Sequence, residues 1–65
     1  MENDEIKRVL KQRVKIRHDG ITYDYAQAWR VAYDHRHHGF VSSLELVKQN
    51  HMVIALAEKC EAVES

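Results

Sequence analysis

DYAQAWRVAYDHRHHG, residues 24–39, is the stretch on which the reading of the fold turns. Tyr25, Ala28, Trp29, Ala32 and Tyr33 recur at the i, i+3, i+4, i+7, i+8 spacing of one face of an amphipathic helix. Asp24 followed by Gln27 has the form of a capping box, and Gly39 stands where a left-handed C-terminal cap is needed. The histidines and Arg36 in the last turn suit the negative end of a helix dipole. The spacing predicts a helix over about 25–38.

On the N-terminal side, Asp19-Gly20 is a strong hairpin signal, because both central residues of a two-residue turn take positive φ. A hairpin over about 13–24 pairs His18 with Ile21, Arg17 with Thr22, Ile16 with Tyr23, Lys15 with Asp24 and Val14 with Tyr25. Val14, Ile16, Ile21 and Tyr23, with Tyr25, then face inward, and Arg13, Lys15 and Arg17 face water. Extending a first helix through Arg17 instead would set Arg13 and Arg17 in the middle of an apolar stripe, at a high desolvation cost. A short helix over about 4–11 avoids that cost and places its acids before its bases.

On the C-terminal side, Ser42 with Glu45 reads as a capping box, with Val41 packing on Leu46 as a staple. The expected helix runs over about 43–63. Leu46, Val47, Val53, Ile54, Ala57 and Cys60 form its main stripe, and Met52, Leu56 and Val63 form a second stripe on nearly the opposite side. The expected fold class is therefore α+β, a single domain over 1–65 in the order α-β-β-α-α. Trp29, Tyr25 and Tyr33 are expected to meet Ile54, Val47 and Val53 at its centre.

Composition sets the outer bounds. Forty-five per cent apolar and 31% charged residues are globular usage. A chain of 65 residues hides only about 60% of its unfolded surface, so support beyond one small core is expected. The lone cysteine, Cys60, makes no internal disulfide; it reads as a core residue of a protein in a reducing, cytoplasmic setting. No apolar run approaches a membrane span, and the acidic start, Met1 to Glu5, is unlike a signal peptide, so no membrane association is expected.

Ten basic and ten acidic residues cancel, but unevenly along the chain. Residues 7–17 hold six bases and no acid, whereas residues 39–65 hold four glutamates and two lysines. These features predict a small non-enzymatic adaptor or regulator that binds another protein and self-associates, as a dimer, through Met52, Leu56 and Val63 of its C-terminal helix. The alternative is a nucleic-acid binder whose basic hairpin lays Lys11, Arg13, Lys15 and Arg17 along phosphates. His35 and His38 would share a helical face, but one distant cysteine is poor company for a structural zinc site, and neither metal nor cofactor is expected. The chain carries no nucleophile motif or phosphate-cradling glycine loop, so no catalytic residues are assigned.

Overall fold

In a computed structural model, which describes residues 1–64, the chain forms one α-helix and six strands. Helix α1 (Asn3–Gln12) carries Asp4 and Glu5 in its first turn and Lys11 in its last, and it buries Ile6 and Val9. It stops at Arg13, whose φ of 54° is left-handed and whose N–H donates to the Val9 carbonyl at 2.9 Å.

Strands β1 (Lys15–His18) and β2 (Ile21–Tyr23) make the Asp-Gly hairpin, paired Ile16↔Tyr23, Arg17↔Thr22 and His18↔Ile21. Asp19 and Gly20 take φ values of 53° and 78°, both positive as the turn requires. Ile16 and Tyr23 enter the core, while Ile21, expected inside, is exposed at the turn end of the ribbon.

Four further strands follow: β3 (Tyr25–Asp34), β4 (Gly39–Lys48), β5 (His51–Leu56) and, after a 3-10 turn at Ala57–Lys59, β6 (Cys60–Val63). They complete two antiparallel three-stranded sheets, ordered β2–β1–β6 and β3–β4–β5. Only Asp24 separates β2 from β3. Its N–H donates to the Val47 carbonyl at 2.8 Å, so the chain passes from one sheet to the other at a hydrogen-bonded corner. The core between the sheets and α1 is built from Ile6, Val9, Ile16, Leu44 and Leu46, all fully buried, with Tyr23, Ala26, Ala55, Ala57 and Cys60 around them.

The α-β-β-α-α expectation is thereby overturned. Strands hold 58% of the described structure, and neither the 25–38 nor the 43–63 helix exists. The molecule is mainly β rather than helical.

Each misreading has a local cause. In β3, Ala26 pairs with Leu46 and Ala28 with Glu45, leaving Gln27 as an extra residue in a β-bulge. Trp29 pairs with Leu44, so Ala26 and Trp29, three positions apart, both face the core side. A bulged strand thus reproduces an i, i+3 spacing. The tyrosines, Trp29 and Val31 are also good strand formers once β4 supplies partners.

In the 43–63 segment, Leu44, Leu46, Val53 and Ala55 face inward, while Val47 and Ile54 lie on the outer face of the same sheet. Adjacent apolar pairs from opposite faces looked like one helical stripe. The polar run from Lys48 to His51 is the β4–β5 turn, with Gln49 left-handed at φ 52°.

The caps expected of those helices have other uses. Asp24 accepts the Gln49 N–H at 3.1 Å, and Glu45 lies mid-strand. The left-handed residue after Asp34 is His38, not Gly39. The expected aromatic centre is not formed either. Trp29 is only half-buried, and Tyr33 and Ile54 are exposed. The Trp29 indole N–H is the one buried side-chain polar atom without a partner among the described residues.

Candidate protein interface

Strand register builds the outer face of the β3–β4–β5 sheet in three rows: Tyr25–Val47–Met52, Ala28–Glu45–Ile54 and Arg30–Ser43–Leu56. Side chains directly opposite on antiparallel strands share a face, so Met52, Ile54 and Leu56 stand side by side along β5. Met52 is 51% exposed and Ile54 59%.

A carboxylate lies at the middle of this face. Glu45 is only 6% exposed. Its Oε1 accepts from Arg30 Nε at 2.8 Å and from Nη2 at 2.6 Å, and its Oε2 accepts from Gln27 Nε2 at 3.0 Å. The same Gln27 nitrogen lies 3.0 Å from Met52 Sδ. Hydrogen bonding from Gln27, then from Arg30, holds the Glu45 carboxyl below its ordinary pKa. The bulge in β3 makes the cluster possible, since it brings Gln27 beside the Ala28–Glu45 row.

The β5 strand is also a sheet edge, paired among the described residues only with β4. Natural edges are commonly protected by charge, proline or a bulge. Residues 52–56, Met-Val-Ile-Ala-Leu, contain neither a charge nor a proline, and β5 pairs with β4 in unbroken register.

Of the expected interface residues, Met52 and Leu56 share this face, with Ile54 between them. Val63 does not join them. It pairs with Lys15 in the other sheet and lines an open groove of about 570 Å³ with Arg8, Gln12, Arg13 and Glu64. The sequence reasoning missed Ile54, Arg30, Gln27 and Glu45 as parts of one surface. The signal for Ile54 was its alternation with Met52 and Leu56; the other three are joined only by pairing between strands.

The four expected nucleic-acid contacts lie along α1 and β1, but nearby groups engage two of them. Arg17 forms an ion pair with Glu61 of β6. The Arg13 guanidinium sits 4.8 Å above the Tyr25 ring. Arg8 joins Glu64 in a further ion pair. The antiparallel β1–β6 pairing is what brings the acidic C-terminal strand against the basic one. Lys11 and Lys15 remain exposed.

The histidines belong to the β3–β4 turn rather than to a helix. Asp34 Oδ1 accepts the Arg36 N–H at 2.9 Å, and Asp34 Oδ2 accepts from His37 Nδ1 at 2.6 Å. No group of three His, Cys, Asp or Glu is placed to hold a metal among the described residues. Cys60 is buried, with its thiol donating to the Leu56 carbonyl at 3.3 Å, and burial raises its pKa.

No protein-family model, curated protein or solved structure matches this chain. No helix among the described residues is long and apolar enough to cross a membrane.

Proposed function

We propose that this chain is a small non-enzymatic interaction protein that works in the cytoplasm by taking an extended segment of another protein as a fourth strand along β5. The observation that carries this reading is the unprotected β5 edge, flanked on its outer face by Met52, Ile54 and Leu56. Strand addition draws affinity from main-chain hydrogen bonds and selectivity from alternate side chains. The partner segment therefore alternates, with apolar residues on the side that meets Met52, Ile54 and Leu56. The Glu45–Arg30–Gln27 cluster supplies fixed charge beside them, which favours one orientation over its reverse.

The test is selection of peptides from an unbiased library on the wild-type chain and on Ile54→Lys. Alternating apolar peptides enriched by the wild type and lost with Ile54→Lys support the reading. N-methylation of a selected peptide at alternate amides then abolishes binding for one parity only, because every second N–H of an added strand faces β5. Peptides equally insensitive to both sets of N-methylation would overturn strand addition.

The nucleic-acid reading rests on Lys11, Arg13, Lys15 and Arg17, of which Arg13 and Lys15 line the open groove beside α1 and β1. Binding through several phosphates falls steeply with salt. A labelled duplex and a single strand that both fail to bind at low salt dispose of it.

A further inference from the structure

We propose that a second copy of this chain pairs with the free edge of β3 in antiparallel register about Ala32, joining two projecting hairpins into one four-stranded sheet. The proposal uses a different edge from the β5 contact and stands independently of it.

The β5 strand reaches along β4 only as far as the Ser43↔Leu56 pair. Beyond that pair, β3 and β4 continue to Asp34 and Gly39 as a two-stranded ribbon. Arg30, Val31, Ala32 and Tyr33 are four consecutive exposed residues, so both faces of the ribbon are open at β3. Among the described residues the β3 strand pairs with β4 alone, which leaves its other edge without a neighbouring strand. A ribbon of two strands is marginal without further pairing or a covered face.

The sequence of this edge is self-complementary. With Ala32 on the two-fold axis, Arg30 lies opposite Asp34 of the partner subunit, and Val31 lies opposite the partner's Tyr33. The same pairs recur on the other side of the axis, as a closed two-fold contact requires. Each pair is favourable, cation to anion and aromatic to β-branched, and the residue at the axis is small.

The two kinds of pair also fall on opposite faces. Arg30, Ala32 and Asp34 share the outer face, and Val31 and Tyr33 share the inner one. Within one ribbon Tyr33 already pairs with Phe40, their rings edge-on at 5.5 Å, and Phe40 is 75% exposed. Pairing across the axis extends this into a row of Phe40 and Tyr33 followed by the partner's Val31 and Ser42. It partners apolar surface that the single chain leaves in water. Moving the register by two residues in either direction takes Arg30 off the partner's Asp34, so charge selects the Ala32-centred alignment.

Light scattering across a concentration series is expected to show the mass rising to twice that of the chain. Arg30→Asp alone and Asp34→Arg alone each place like charges opposite one another, and each is expected to weaken association about tenfold. The double variant, Arg30→Asp with Asp34→Arg, restores the opposite-charge pairs and is expected to recover most of the loss. Because both residues also hold local contacts, Ala32→Cys provides a second measurement at an exposed site. Mild oxidation is expected to link two Ala32→Cys chains, whereas Val41→Cys, one strand away from the axis, remains unlinked. A monomer at every concentration would overturn the proposal. So would a dimer that Ala32→Cys fails to cross-link, even where the charge variants do not fold.

Discussion

At the tip of the β3–β4 hairpin, one carboxylate and one imidazole, Asp34 and His37, shift each other's titration. Asp34 is held below its ordinary pKa of 3.8, chiefly by the His37 hydrogen bond, and His37 is raised above 6.5 chiefly by the same bond. His37 therefore adds stability that is fully present below pH 6.5 and is lost as pH rises through its raised value. Asp34 adds stability present above 3.8 that is lost as pH falls through its lowered value. The pair is thus strongest between these limits. Imidazole NMR is expected to show His37 titrating above 6.5, with Asp34→Asn returning it towards that value. Glu45 follows the carboxylate rule. Its contribution is in place above 4.5 and is lost as acid protonates it, so Glu45→Gln should flatten the fall in urea midpoint below that pH. Asp34 and His37 stand at a helical i, i+3 spacing but without a helix, and Glu45 stands at no helical spacing from Gln27 or Arg30. Asp34 and His37 meet across a turn, and Glu45 meets Gln27 and Arg30 across strands.

Among the elements, the Asp-Gly hairpin was legible for the three pairs nearest its turn, whose contacts are local. The expected Lys15–Asp24 and Val14–Tyr25 pairs do not form, because the chain leaves for the other sheet at Asp24 and Tyr25 pairs with Val47. The two glycines separate turn from strand. Gly20 sits at φ 78°, so Gly20→Ala is expected to cost about 1 kcal/mol through left-handed strain. Gly39 is not left-handed, and an added methyl meets only the His37 carbonyl oxygen at an ordinary 3.8 Å. Gly39→Ala is therefore expected to leave stability unchanged or raise it by up to about 0.5 kcal/mol. Urea melts of the two variants check both values. Were 25–38 a helix capped by Gly39, the order of sensitivity would be reversed at that position. The bulge at Gln27 is the element that hid the strand, because its extra residue converts a two-residue alternation into a three-residue step.

For the molecule as a whole, stability rests on a small core shared by both sheets and α1. Leu46 is fully buried in β4, between Ala26 of β3 and Val53 of β5. Leu46→Ala is expected to cost ~2 to 5 kcal/mol, whereas Ile54→Lys on the outer face should change stability by about 0.5 kcal/mol or less. Chemical denaturation of both separates core from surface on the same sheet. The sequence by itself determined the first helix, the Asp-Gly turn with the three pairs next to it, and the burial of Cys60, since local spacing, turn chemistry or apolar character is enough for each. Only tertiary structure decided what became of residues 25–63. Their apolar positions satisfy a helical period and a bulged, two-faced strand pattern alike. The choice falls to pairing between segments far apart in the chain, which satisfies the backbone of β3 through β6 and sets Arg30 and Gln27 on Glu45. Long-range hydrogen bonding leaves no periodic mark on either segment alone, and for that reason the surfaces proposed to bind other chains lie on strands rather than on a helix.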